Sequence, residues 1–113
     1  MIKEVGKMIN VKNAITKKEY NVIYKFLEKL NNWYDTEHHS YDSLTKLYYK
    51  RLIGSIMGLI SYYRINEDID IEYCLQLIRN NMYNLMEEYR TQKDSKYKSF
   101  KAIYDLLYDI EKR

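Results

Sequence analysis

Twelve consecutive residues without a charged side chain, Leu52 to Tyr63, constrain the fold of this chain more than any other feature. The stretch is too short to cross a bilayer, because a membrane-spanning helix needs about 20 apolar residues. A helix over Leu52–Tyr63 has no charge on any side, which is typical of a helix surrounded by others. We therefore expect this stretch to belong to a central, fully surrounded helix.

Three further segments carry apolar residues at steps of three and four, the spacing of one helix face. The first begins at Thr16, which has the spacing of a capping box with Glu19. The third is the most regular in the chain. The recurring positions are Tyr20, Ile23, Leu27, Leu30 and Tyr34 in the first segment, Ile71, Leu75, Ile78, Met82, Leu85 and Tyr89 in the third, and Phe100, Ile103, Leu107 and Ile110 in the fourth.

Short polar segments separate these patterns, so consecutive helices are expected to run antiparallel. The 113 residues include no proline, and a chain of this length supports one hydrophobic core rather than two. We predict an all-α fold: a four-helix up-and-down bundle-like single domain over residues 1–113, in which residues 1–15 form a short, loosely docked N-terminal extension. The expected helices lie near 16–34, 43–65, 70–91 and 95–112, and their expected N-caps are Thr16, Asp42 or Ser43, Asp68 or Asp70, and Ser95.

No arrangement of residues in the sequence indicates catalysis, a cofactor or a metal site. There is no glycine-rich phosphate loop and no nucleophile elbow. Cys74 is the only cysteine, which excludes an intrachain disulfide. The adjacent His38 and His39 lie in a polar segment and would point apart on a helix, so we expect no metal ligation there. The N-terminus lacks the continuous apolar core of a signal peptide, and we expect a non-enzymatic, cytoplasmic protein without transmembrane insertion.

Tyrosine is unusually frequent, with 14 residues against one tryptophan and two phenylalanines. Tyr24, Tyr83 and Tyr108 fall on helix faces that are otherwise polar. Exposed tyrosines provide large contact area at low entropic cost and are enriched at interfaces. We predict that Tyr24, Tyr83 and Tyr108 bind a partner, together with Arg79, one turn from Tyr83. The alternative is an AT-rich coding bias, which also favours lysine, asparagine and isoleucine.

Gly54 and Gly58 lie inside the second predicted helix, where each glycine costs roughly 1 kcal/mol relative to alanine. Close approach of another helix is the usual compensation. That helix is either a neighbour in the same bundle or the same helix of a second copy, which would make Gly54 and Gly58 the centre of a homodimer face.

The first 34 residues carry seven lysines and three glutamates. Basic groups interleaved with tyrosines can follow a single nucleic-acid strand. Lys17, Lys18 and Lys25 are therefore the candidate residues for a nucleic-acid site, an interpretation that we place behind protein binding because acidic residues are interspersed among the lysines.

Small size, the lack of a catalytic set and tyrosines on polar faces favour a protein-binding module. The leading hypothesis is an inhibitor from a phage or mobile element that occludes a host protein or ribonucleoprotein, such as a CRISPR-type defence nuclease, in the manner of an anti-CRISPR protein. The alternatives are a bacteriocin immunity protein and a basic DNA- or RNA-binding regulator.

Overall fold

Four α-helices make up the fold. A computed structural model describes residues 13–65 and 69–113. The helices are α1 (Lys17–Glu37), α2 (Ser43–Ile65), α3 (Ile71–Gln92) and α4 (Lys96–Glu111), and a 3-10 turn, His38–Ser40, follows α1. No strand occurs in the described residues, and the helices share one core. The prediction of an all-α, four-helix bundle-like fold is confirmed.

The predicted N-caps of the first three helices are confirmed. In the capping box, the Glu19 amide donates to Thr16 Oγ1 at 3.0 Å and the Thr16 amide donates to Glu19 Oε1 at 2.9 Å. Asp42 accepts from the amide of Thr45 at 2.8 Å, and Asp70 caps α3 in the same way. These side chains satisfy amides that have no partner inside the first helical turn.

The predicted cap of the fourth helix is wrong. Ser95 makes no side-chain hydrogen bond to α4, because its backbone is already helical at φ −62° and ψ −20°, whereas a capping side chain normally extends from β-region backbone. Asp94 takes over this role and accepts from the Lys96 amide at 2.8 Å. Lys93 ends α3 in the left-handed conformation at φ 58°, so the chain reverses within a tight turn.

The core is built around α3, which packs against both α2 and α4, while α1 packs mainly against α2. The regular apolar stripe of α3 is buried as predicted. The side chains with no exposed surface are Leu30, Tyr49, Leu52, Ile56, Leu59, Leu75, Ile78, Met82, Phe100, Leu107 and Ile110.

The expectation that neighbours surround α2 on every side is wrong. Leu52, Ile56 and Leu59 are fully buried, but Met57 is 54% exposed and Gly54 is also exposed. Within the described residues, α1 and α3 cover α2 on two sides and no helix covers the third. The absence of charge over residues 52–63 of α2 therefore leaves an uncharged patch on the surface.

Residues 1–12 of the predicted N-terminal extension lie outside the described residues. Asn13 to Ile15 are not helical and are firmly docked, since Ile15 is only 1% exposed. The Asn13 side chain donates to the Ile110 carbonyl at 2.8 Å, and the Tyr63 hydroxyl donates to the Asn13 carbonyl at 2.8 Å. These bonds tie the chain before α1 to the ends of α2 and α4.

Ion pairs join α1 to α4 at both ends. The Arg113 guanidinium binds the Glu19 carboxylate through two hydrogen bonds of 2.8 Å. At the other end, Lys96 Nζ lies 3.1 Å from Glu37 Oε1 and 5.5 Å from the centre of the Trp33 ring. The hydrogen bonds from Arg113, which outweigh the opposing effect of partial burial, lower the pKa of Glu19 from 4.5 to about 2.

Replacing Ile78 with alanine should lower the free energy of unfolding by about 2–5 kcal/mol, because a cavity remains in a fully buried site. Urea unfolding measures this change. Gln76→Ala, at an exposed position of the same helix, should cost less than about 0.5 kcal/mol. A loss below about 0.5 kcal/mol for Ile78→Ala would contradict the central packing of α3.

The pairing of Glu19 with Arg113 should make stability depend on pH. A carboxylate whose pKa is lowered by folding stabilises the native state above the unfolded-state pKa, and this contribution is lost as pH falls through the folded-state value. Glu19→Gln should therefore lower the free energy of unfolding by its full amount above pH 4.5. The difference in this free energy between variant and wild type should disappear as pH approaches 2. Urea unfolding across this range tests the prediction. When Arg113 is also replaced by methionine, the effect of Glu19→Gln on the free energy of unfolding should lose most of its dependence on pH.

Candidate protein-binding surface

Three of the four predicted partner-binding residues come together where α3 lies beside α4. Tyr83 is 50% exposed on α3 and Tyr108 is 46% exposed on α4. The Arg79 guanidinium lies between the helices, 5.4 Å from the centre of the Tyr108 ring and 5.9 Å from that of Tyr104. Tyr104 also contacts Tyr83, with ring centres 6.4 Å apart. We call Arg79, Tyr83, Tyr104 and Tyr108 the Arg79 face.

Glu111 holds Arg79 in place. Both the Nε and a terminal nitrogen of Arg79 lie 2.7 Å from Glu111 Oε1, and the two side chains are only 17% and 27% exposed. Arginine has a planar, permanently charged head that stacks on aromatic rings and binds carboxylates at the same time. The guanidinium is therefore positioned before any partner arrives.

Tyr24 does not belong to this cluster. It is 41% exposed on α1, and its ring stacks against that of Tyr20 at 6.3 Å. The exposure predicted for Tyr24 is confirmed, as it is for Tyr83 and Tyr108, but the role of all three in binding stays a prediction. Tyr104, which the sequence analysis missed, lies one turn before Tyr108, and that spacing was its only signal.

Within residues 13–65 and 69–113, no helix lies close to Gly54 or Gly58. A Cβ atom added at either position would meet no atom within 4 Å. The interpretation that a helix of the same bundle packs closely against these glycines is therefore wrong. Met57 and Ile65, 54% and 65% exposed, lie on the same uncovered side of α2. Self-association through Gly54 and Gly58 stays a prediction.

The candidate nucleic-acid residues Lys17, Lys18 and Lys25 are all exposed on α1. Lys18 and Lys25 are seven residues apart and share one face of the helix, whereas Lys17 is rotated by about 100° from Lys18. The three lysines therefore do not form one continuous patch.

A polar cavity of about 300 Å³ was not foreseen from the sequence, because its walls come from three separate segments. It lies where the turn after α1 meets the end of α3, and it is lined by Glu37, Ser40, Tyr41, Asp42, Thr45, Glu88, Tyr89, Gln92 and Asp94. Of its four carboxylates, Glu37 and Asp94 share one cation, Lys96, whose Nζ lies 3.1 Å and 3.5 Å from them. Asp42 and Glu88 accept hydrogen bonds from the Thr45 amide and the Gln92 side chain.

Two residues that line this cavity, Tyr41 and Tyr89, contact the buried Tyr49. Tyr49 is fully buried, and its hydroxyl is hydrogen-bonded to that of Tyr89. The Tyr41 ring stacks on Tyr49 with centres 4.9 Å apart. Burial raises the pKa of Tyr41, Tyr49 and Tyr89. These hydroxyls stay protonated near neutral pH and act as hydrogen-bonding groups rather than as bases.

The remaining chemically notable side chains have structural partners. His38 donates from Nδ1 to the Tyr34 carbonyl at 2.8 Å and stacks on the Tyr34 ring. The Cys74 thiol donates to the Ser55 carbonyl at 3.4 Å, and burial raises the pKa of Cys74 to about 11. In the part of the chain that the structure describes, no three His, Cys, Asp or Glu side chains gather so as to hold a metal ion.

Comparisons with protein families, curated protein sequences and solved structures find no match to this chain. None of the helices within 13–65 and 69–113 is long and apolar enough to cross a membrane. The fold and the residues themselves therefore carry the functional argument.

Gly54→Ala and Gly58→Ala should each stabilise the chain by about 0.5–1 kcal/mol, because alanine has the higher helix propensity and its methyl group meets open space. Urea unfolding measures this gain. Sedimentation of Gly54→Leu then tests self-association, since the larger side chain would block a close helix–helix contact. A loss of stability in both alanine variants would mean that an unseen neighbour lies against α2.

Proposed function

We propose that this chain is a non-enzymatic protein-binding module that inhibits an enzyme of its host cell by covering part of that enzyme's surface. The observation that carries the proposal is the Arg79 face: one arginine, fixed by Glu111, stacks on two tyrosine rings of α4, and Tyr83 of α3 contacts one of them. Tyrosine and arginine supply most of the energy at known hot spots of protein interfaces.

The charges around the Arg79 face favour a protein over a nucleic acid as the partner. Glu111 neutralises Arg79, and Asp105 neutralises Lys101 on α4, with 2.9 Å between Lys101 Nζ and the Asp105 carboxylate. Lys112 adds one further positive charge, with Nζ 4.2 Å from the centre of the Tyr108 ring. Phosphate backbones are bound mainly by several basic groups that release counterions, whereas an aromatic surface whose arginine is already paired suits the apolar and hydrogen-bonding groups of a protein.

Preorganisation is the second support for the proposal. Binding normally costs about 0.5–1.5 kcal/mol for each flexible side chain that becomes ordered. The Arg79 guanidinium already has its hydrogen bonds and ring contacts in the free chain. Less entropy is then lost when a partner covers Tyr83 and Tyr108.

For the target, we propose a cytoplasmic defence enzyme of a bacterial host, such as a CRISPR-type nuclease, and for the origin a phage or mobile element. The AT-rich coding pattern and the small size support this assignment. A bacteriocin immunity protein and a DNA- or RNA-binding regulator are the competing functions, and each predicts a different phenotype.

Tyr83→Ala and Tyr108→Ala should each weaken partner binding at least about tenfold while changing the free energy of unfolding by less than about 1 kcal/mol, since both rings are half exposed. A pull-down from the native host identifies the partner, and titration with the purified partner measures the affinity. Tyr73→Ala is the matched control, because Tyr73 is an exposed tyrosine of α3, 61% exposed, that lies outside the Arg79 face.

Full binding by both variants would contradict the role of the Arg79 face. To test the target class, the chain is expressed in bacteria that carry a CRISPR-type nuclease. The wild type should raise the plating efficiency of a targeted phage, and Tyr83→Ala should reduce that gain about tenfold, in proportion to lost affinity. Protection against a bacteriocin instead, with no effect on the phage, would favour the immunity protein.

A further inference from the structure

An apolar groove of about 400 Å³ runs along the surface between α1 and α4. Val22, 42% exposed, and Ala102, also exposed, line it from the two helices. Phe26 and Ile103, 3% and 4% exposed, close it from below. We call this feature the α1–α4 groove. It lies on the other side of α4 from the Arg79 face and is independent of it.

The groove exists because α1 and α4 are joined mainly at their ends, while between the ends the rings of Phe26 and Phe100 meet below the surface, with centres 5.2 Å apart. Each helix packs mainly on a different neighbour, α1 on α2 and α4 on α3. The Glu19–Arg113 pair closes one end, and the Glu37–Lys96 pair closes the other. The spacing between the helices is thereby set by the protein itself, and the open middle exposes apolar side chains.

Three lysines flank the groove, and none of them has an ion-pair partner in the described part of the chain. Lys25, Lys29 and Lys98 are exposed and line it from both helices. Among residues 13–65 and 69–113, no carboxylate forms an ion pair with any of them. Lys18 lies on the same face of α1, one turn before Val22 and two turns before Lys25, and extends the row of lysines along that face. The rim is therefore positive, with no ion pair among the described residues to balance it.

From this arrangement we infer that the α1–α4 groove binds an acidic amphipathic helix of a partner protein. An amphipathic helix places its apolar face in a groove through residues at positions i, i+3, i+4 and i+7. Apolar side chains of such a helix would cover Val22 and Ala102, and its flanking carboxylates would meet Lys25, Lys29 and Lys98. The groove is lined by residues 22–29 of α1 and 98–103 of α4. Along α1 this is about 11 Å, the length that positions i to i+7 of a bound helix cover.

Other occupants fit this chemistry less well. Single-stranded nucleic acid needs exposed aromatic faces on which its bases stack, but the aromatic residue of the groove, Phe26, is only 3% exposed. Residues 1–12 of the chain carry three lysines and one glutamate, so the positive rim would repel them. The rim and the apolar floor together favour a ligand that is both negatively charged and amphipathic.

A designed peptide of about 18 residues, five helical turns, tests the inference directly. Its leucines follow the i, i+3, i+4, i+7 pattern, glutamates flank them, and a fluorescein label reports binding to the full chain by anisotropy. We expect binding to the patterned peptide, and at least about tenfold weaker binding to a scrambled peptide of the same composition and to a glutamine-for-glutamate peptide. No binding of the patterned peptide up to about 100 μM, or equal binding of the scrambled one, would overturn the proposal.

Variants of the protein locate the site. Combined Lys25→Glu, Lys29→Glu and Lys98→Glu should weaken peptide binding at least about tenfold. Combined Lys17→Glu, Lys50→Glu and Arg51→Glu changes the charge equally outside the groove and should alter the affinity less than about twofold. Ala102→Trp fills the groove without changing its charge and should also abolish peptide binding. It therefore tests the site even if the triple lysine variant fails to fold. Unchanged affinity of Ala102→Trp would overturn the proposal.

Two further probes separate other classes of partner. The first probe is an oligothymidylate. If it binds more tightly than the peptide, if its affinity falls steeply with salt, and if the combined Lys25, Lys29 and Lys98 variant loses this binding, the groove is a nucleic-acid site and the proposal is overturned. A concentration-dependent increase in mass that Ala102→Trp removes would identify a second copy as the occupant, with the same consequence. The proposal is supported if the chain is a monomer, does not bind the oligonucleotide and binds the patterned peptide.

Discussion

The burial of one stripe of α3 between α2 and α4 is the constraint on which the rest of the structure depends. Leu75, Ile78 and Met82 have no exposed surface, and burying side chains of this size contributes about 1.5–3 kcal/mol each. Once α4 is held against α3, it meets α1 only through ion pairs at the two ends and a few aromatic contacts. The open groove is a direct consequence of this division of contacts.

Helix α4 therefore carries two surfaces of different chemistry. On its α3 side, tyrosine rings surround an arginine whose charge Glu111 balances. On its α1 side, an apolar floor lies between lysines that have no partner among the described residues. In the roles proposed above, the aromatic surface would select a partner by shape and hydrogen bonds, and the lysine rim would select by charge and accelerate encounter.

The tyrosines illustrate how far the sequence alone could predict the site. Helical spacing correctly predicted that Tyr24, Tyr83 and Tyr108 are exposed. It did not reveal that Tyr49 and Tyr89 share a hydrogen bond in the core, because their hydroxyls belong to helices 40 residues apart in the chain. A buried hydroxyl without a partner costs about 1–3 kcal/mol, so this pairing explains why tyrosine is tolerated there. A coding bias would raise the number of tyrosines, but it would not place two of them so that their hydroxyls meet.

The sequence by itself determined the helices, their apolar stripes and three of their four caps, because hydrophobic periodicity and capping act over three or four residues. Only the tertiary structure decided which faces meet. The partner of Arg79 is Glu111, 32 residues away, and the surroundings of Gly54 are open although the local pattern indicated a close neighbour. Local rules do not specify such arrangements, because the angle and separation of two helices follow from the packing of all their side chains at once.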